Sequence, residues 1–355
     1  MFVSKDKRKS KLLRWFKENQ RVLPWRGSWD AYKVWLSEVI MQQTRVAQGT
    51  PYYLRFVENF PTVAHLAAAD EQEVLKLWQG LGYYSRARNL HQAARQIVAE
   101  HGSVFPADYN SISKLKGIGP YTAAAIASIV FNLPYAALDG NVYRVLARLY
   151  AIDMPINANG AQKFYQKLAD ELIDQAQPGD FNQAMMELGA KICTARNPIC
   201  PQCPFFDDCL ARQQGLQNEL PKKLASKAVT ERYLHYLFIK EGESFYLNKR
   251  LPGDIWEGMY DLPLIETTNA GILTEHVIAA HIGQTLEHFR PLKQIIHKLT
   301  HRKLVISFYE IIAHGDSGKF QEGMVLVAPT HLKQYPLPKP VELFLNDYLC
   351  NPRIC

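Results

Sequence analysis

Around residue 230 the chain changes periodicity, and that change restricts it to two kinds of packing in series. Upstream, stretches such as VAHLAAADEQEVLKLW, NLHQAARQIVAEH and AAAIASIVF carry apolar residues at helical spacing between Gly- or Pro-marked turns. Downstream, short β-branched and aromatic runs follow one another: YLHYLFIK, SFYLNKR, KLVISFYEIIA and MVLVAP. Between them ARQQGLQNELPKKLASKA is polar, charged and broken by Gly and Pro, and reads as a linker. The expectation is an α+β chain of two domains: an all-α domain over 1–212, a linker over 213–229 and a smaller α+β domain over 230–355. A length of 355 residues and an apolar share of 47 % suffice for two packed cores. No internal repeat of fixed period is present.

No run of eighteen or more apolar residues occurs, and the basic N-terminal twenty residues lack the apolar core of a signal peptide. A cytoplasmic protein without membrane contact is expected. The net charge of +7 is unevenly placed: residues 1–30 hold nine Lys or Arg against three acids. Such a run is either a solvated helix face or a phosphate-facing surface, and charge alone does not choose.

Four of the six cysteines fall within CTARNPICPQCPFFDDC, as Cys193, Cys200, Cys203 and Cys209. The other two, Cys350 and Cys355, show no such spacing. Four thiols so close together point to a metal rather than to disulfides. Zinc ribbons use two separate C-x2-C knuckles, and only one is present, so a single loop around a [4Fe–4S] cluster is favoured over zinc.

KLKGIGPYTAAAIASI carries two glycines one residue apart, a Pro, and then an alanine-rich helix. With Leu115 shortly before and Ile118 between the glycines, it looks like a helix–hairpin–helix over about 113–128, with Gly117 and Gly119 offering backbone N–H groups to a phosphate. Two acids stand out on otherwise apolar or helix-forming segments. Glu38 lies in LSEVIMQQTRV, where helical spacing puts Leu36, Val39, Ile40 and Gln43 on one side. Asp139 opens LDGNVYRVLARLY, either as a helix N-cap or as an acid facing a substrate cation, with Asn141 two residues on.

SEVIMQQT, GLGYYSRARNL, GIGPYT, LDGNVYRVL and the four-Cys loop, in this order, resemble the MutY-type adenine DNA glycosylases, in the helix–hairpin–helix superfamily that also contains endonuclease III. The resemblance covers nearly the whole chain, and the last third is similar to that family's Nudix-like recognition domain. It implies a [4Fe–4S] cofactor on Cys193, Cys200, Cys203 and Cys209. The implied substrate is duplex DNA containing A:8-oxoguanine or A:G, bound by a monomer that flips out the adenine.

The catalytic positions implied are Glu38, Tyr121, Asp139 and Asn141. Glu38 would protonate adenine N7, while Asp139 would stabilise the sugar cation or form a covalent adduct. Tyr121 and Asn141 would hold Glu38 and water. Glu38 must then be protonated and Asp139 ionised, in environments that push their pKa values apart. Strand-cutting relatives carry a lysine where this chain has Tyr121, so base removal without strand cleavage is expected. Trp25 and Arg26 would border the adenine pocket, Gln183 would touch the adenine edge, Gln43 would fill the vacated space and Tyr83 would wedge beside the oxidised base. Arg86 and Arg88 would meet phosphates. In place of the family's Phe-Ser-His contact to 8-oxoguanine the chain has Leu299, Thr300 and His301, which keeps a hydroxyl and loses the aromatic. The alternatives are a thymine or oxidised-pyrimidine glycosylase of the same superfamily and a non-catalytic iron–sulfur DNA-binding protein. No G-x5-E-x7-R-E-x2-E-E sequence occurs in the second half, so no Mg²⁺-dependent pyrophosphatase activity is expected.

Overall fold

A computed structural model describes residues 5–225, 229–283, 285–313 and 323–350; Cys355 lies outside them. Among the described residues, twelve α-helices precede the first strand: α1 (Lys5–Asn19), α2 (Ala31–Met41), α3 (Val46–Asn59), α4 (Val63–Ala68), α5 (Glu71–Trp78), α6 (Ser85–His101), α7 (Tyr109–Lys114), α8 (Pro120–Phe131), α9 (Gly140–Leu149), α10 (Ala161–Leu172), α11 (Pro178–Lys191) and α12 (Leu210–Gln213). The chain divides into two compact units, one of residues 1–68 and 89–225, the other of residues 69–88 and 226–355. A short excursion of the helical half, α5 with the turn after it, therefore joins the second unit.

In the first unit, α1, α9, α10 and α11 share one core, in which Leu12, Phe16, Leu146, Tyr165, Ala184 and Leu188 are buried. Buried alanines at 123, 124, 125 and 127 leave α8 narrow, and α2 and α11 both pack on it. Close packing of helices at this point brings α2, α8, α9 and α11 around a common space. Part of the polar stretch read as a linker lies on this unit: Arg148 donates from Nε to the Leu220 carbonyl at 2.9 Å, and Ile156 N donates to the Lys222 carbonyl at 3.0 Å.

The second unit is built on a seven-stranded mixed sheet: β1 (Thr230–Glu241), β2 (Ser244–Lys249), β3 (Tyr260–Asp261), β4 (Leu264–Thr267), β5 (Leu286–Lys298), β6 (Arg302–Ala313) and β7 (Met324–Val327). β1 runs parallel to β6, from Thr230 beside Arg302 to Ile239 beside Ile311, and antiparallel to β4. Strand alternation sorts the side chains onto two faces. Leu234, Tyr236 and Phe238 pack with Val341, Phe344 and Leu345 of α14 (Lys339–Cys350), whereas Leu237 and Ile239 pack with Ile278 and Ile282 of α13 (Glu275–Ile282).

Two local readings change. VAHLAAADEQEVLKLW is two helices, because the Asp70 side chain accepts from Gln72 N at 2.7 Å and starts α5 afresh. Helical spacing in LSEVIMQQTRV stops at Met41. Gln42 ends the helix and Gln43 takes a left-handed φ of 54°, which moves it off the apolar side and leaves it exposed.

Candidate active site

α2 is anchored at its start by Asp30, whose carboxylate accepts from Tyr32 N and Lys33 N at 3.0 and 3.3 Å. Val34, Trp35, Leu36, Val39 and Ile40 bury the helix, and Glu38 is left on the wall of a cavity of about 470 Å³. Trp25, Arg26, Tyr121, Asp139, Asn141 and Gln183 line the same cavity, so seven residues picked from distant sequence positions meet there. Its size lies in the usual range of small-molecule sites.

The phenol of Tyr121 donates to Glu38 Oε2 at 2.6 Å. Burial raises the Glu38 carboxyl to about 7; the Tyr121 hydrogen bond opposes this rise and the nearby Asp139 charge adds to it. Burial, with the Glu38 charge next, holds the Tyr121 phenol far above its ordinary range, so it remains a donor.

Asp139 is the N-cap of α9 and also lines the cavity. Its Oδ1 caps α9 by accepting from the backbone N–H groups of Asn141 and Val142 at 2.9 and 2.8 Å. Its Oδ2 accepts from Asn141 Nδ2 at 2.7 Å. Burial raises this carboxyl too, but the two N–H groups, the amide and the Arg144 charge pull it back. The two acids are thus displaced in the same direction, and the donors of the helix end restrain only one of them.

Two supporting residues escaped the sequence reading. Arg144, one turn after Asn141, donates from Nη2 to Asn141 Oδ1 at 2.8 Å and to the Gly189 carbonyl at 2.7 Å, and from Nε to the Cys193 carbonyl at 2.6 Å. Gly189 permits this: a Cβ there would sit 2.5 Å from Asn141 Cβ. Glu187, on α11, is 1 % exposed and accepts from Arg21 Nε at 2.7 Å and Arg26 Nη2 at 3.1 Å, which fixes both cations at the cavity wall. Its signal was available: it is an acid set in the apolar stretch AMMELGA of α11, as Glu38 is set in an apolar stretch of α2.

Gly117 and Gly119 lie in a neighbouring groove with Gln42 and Thr122. Gly117 has φ 74°, and a Cβ would fall 2.6 Å from Asn89 Cβ, so glycine is required. Gly119 caps α8 with no side chain in the way, and Pro120 follows at the first helical position.

In the second unit Tyr83, at a left-handed φ of 50°, points its hydroxyl at the Thr300 hydroxyl, and the two hydrogen-bond. Arg86 lies against the Trp78 and Tyr83 rings at 5.1 and 5.6 Å, and burial lowers its pKa to about 10, so it props the Tyr83 ring. Arg88 pairs with Glu257 at 3.1 Å within this unit. His301 is exposed, and Leu299 packs on the apolar core.

Cys193, Cys200, Cys203 and Cys209 line one small cavity together with Arg148 and Phe206. Four thiols gathered on one small cavity suit a cluster. Burial pushes the Cys203 thiol up to about 12, and a buried thiolate set of this kind needs the positive charge of bound iron. Arg148 donates to Cys193 Sγ at 3.3 Å and to the Thr194 carbonyl at 2.7 Å, which orders the loop.

Residues 36–171 match the HhH-GPD superfamily base excision DNA repair protein, residues 193–209 the iron–sulfur binding domain of endonuclease III, and residues 235–347 the NUDIX domain. A solved thermostable thymine-DNA glycosylase superposes with a TM-score of 0.54 at 27 % identity, covering 59 % of this chain and 98 % of that one. The fold and these matches are those of a base-excision DNA glycosylase: a helix–hairpin–helix domain with a [4Fe–4S] cofactor, followed by a Nudix-like domain. The adenine DNA glycosylase of Buchnera aphidicola subsp. Acyrthosiphon pisum is 32 % identical over 96 % of this chain and 97 % of its own length. That of Homo sapiens is 45 % identical over 59 % of this chain, which spans 40 % of the human protein. The chain belongs to the adenine DNA glycosylase family and is an adenine-specific DNA N-glycosylase.

Proposed function

We propose that the cavity removes adenine paired with 8-oxoguanine or guanine in duplex DNA, and that it does so without cutting the strand. The observation that carries this is the pairing of Glu38 and Asp139 on one cavity, with a phenol on the first and helix-end donors on the second. Breaking the N9–C1′ bond sends the bonding electrons to adenine and leaves a cationic sugar. Glu38, held protonated near neutral pH by burial, gives its proton to adenine N7 and makes the base a neutral leaving group. Asp139, ionised, faces the sugar cation or bonds to C1′ until water adds there and loses a proton. Asn141 keeps the Asp139 carboxylate oriented, and Tyr121 does the same for Glu38. Trp25, Arg26 and Gln183 form the walls against the purine.

The reading gives Gly117 and Gly119 the role of gripping a phosphate, Gln43 that of filling the gap in the duplex, and Tyr83, Thr300 and His301 that of meeting the opposite base. Arg86 serves this set by supporting Tyr83. The absence of an amine at Tyr121 removes the Schiff-base route to strand cleavage.

The test is adenine release from A:8-oxoguanine, A:G and A:C duplexes, with T:G as contrast, each analysed before and after alkali. Fast release from A:8-oxoguanine and A:G, with nicks only after alkali, is expected. Preferred thymine release, or efficient nicking before alkali, overturns it.

A further inference from the structure

A second cavity, of about 540 Å³, adjoins the proposed catalytic one and shares the wall residues Arg21, Leu23, Arg26, Ile129 and Gln183 with it. The loop between α1 and α2 forms its rim. On that loop Val22 is 100 % and Trp29 73 % exposed, so a bare indole and a bare isopropyl group stand in water beside a deep recess. Large apolar side chains held out this way mark contact surfaces. Asn132, Gln177 and Asp180 provide amides and a carboxylate around the same space.

The shared wall is lightly built. Gln183 is tied by one long hydrogen bond, from Nε2 to the Gly179 carbonyl at 3.4 Å. Arg26 is anchored through its two terminal nitrogens to the Arg21 carbonyl and to Glu187, yet its buried Nε has no hydrogen-bond partner among the described residues.

An indole face, amides and a carboxylate together suit one ligand class, a 6-aminopurine. The ring stacks, an amide pairs with N6 and N7, and a carboxylate accepts from N6–H. Excision creates such a molecule. While the abasic duplex still covers the mouth of the catalytic cavity, the detached adenine has lost its tether and lies against Gln183 and Arg26. We propose that the second cavity is a product site: free adenine passes Gln183 and is held on Trp29 before it leaves, with the abasic DNA still bound. This rests on the catalytic cavity assigned above.

The experiment titrates labelled adenine onto the full-length enzyme complexed with an abasic-site duplex and measures binding by equilibrium dialysis. Saturable binding of one adenine per complex is expected. Trp29→Ala should weaken it about tenfold, the scale of one base–aromatic stack, and Trp29→Phe should restore most of it. Single-turnover adenine release should be unchanged in Trp29→Ala. Binding confined to DNA-free enzyme means that adenine enters only through the catalytic mouth, and overturns the proposal. So does equal binding by wild type and Trp29→Ala. Glu38→Gln separates the two assignments: normal excision by that variant would sink the catalytic reading, while the Trp29-dependent binding would stand or fall on its own data.

Discussion

The α2 wall and the α11 wall of the catalytic cavity each carry one glutamate. Burial acts on both in the same sense, against the charged form. Glu38 has a phenol for a partner, a neutral donor that offsets only part of that cost, and its pKa rises to about 7. Glu187 has two guanidinium groups, from Arg21 and Arg26, which outweigh burial and keep it below the usual range. Two like residues on one cavity are thereby held in opposite states, one inclined to keep its proton and one to keep its charge. Location alone does not make an acid catalytic; the charge of its partner decides.

The largest effect that can break this contrast is chemical. Glu38→Gln should slow single-turnover adenine release by about 10² to 10⁴, the range for a lost general acid, and Asp139→Asn should abolish it to a similar degree. Filter binding should find DNA affinity largely retained in both. Turnover like wild type in either variant removes the assigned role.

Next comes pH. A catalyst that must be protonated loses rate as pH rises through its pKa, so the rate should fall about tenfold per unit above about 7. The Tyr121 hydrogen bond lowers the Glu38 pKa, so Tyr121→Phe should move that limb to higher pH, even though its maximal rate drops. A limb displaced to lower pH would contradict the sign.

Glu187→Gln should act through the fold. It leaves two cations on a wall with one neutral amide, and because Arg21 is partly exposed the loss should be about 2–3 kcal/mol, below the full cost of breaking a buried pair. Urea unfolding measures it. The pH limb of the rate should stay where wild type has it, and a shift would mean that Glu187 shares the proton-donating role. The smallest effect is expected from Tyr83→Phe, which removes the hydroxyl bonded to Thr300. This exposed bond is worth under about 1 kcal/mol, and thermal denaturation should move little.

Much of this arrangement could be read from the sequence because it follows local rules. The hairpin glycines, the Asp139 cap and the four-Cys loop each sit within seventeen residues or fewer, where spacing fixes geometry. Glu187 and Arg144 could not be read the same way. Their partners lie 166 positions away for Arg21 with Glu187, and 49 for Arg144 with Cys193. Arg88 was legible as a cation, but not as one already paired with Glu257.

Among the strands, β1 and β6 were plain because both bury alternate residues in apolar cores. β5 was hidden. It contains Pro291, its burial pattern is mostly partial or exposed, and it lies at the sheet edge with register shifts near 286–288 and 291–293, where a proline and unpaired residues are tolerated. Helix ends were the other weak point. A single Asp70 side chain split one apparent helix, and another stopped at Met41, with Gln42 as its cap and a left-handed Gln43 after it.

The protonation state of Glu38 is the hinge of the account, and isotope-edited infrared difference spectroscopy of wild type against Glu38→Gln observes it directly. A protonated carboxyl band that persists into the neutral range and disappears with a midpoint near 7 is the predicted result. A midpoint near 4.5, the ordinary value for Glu, would contradict it.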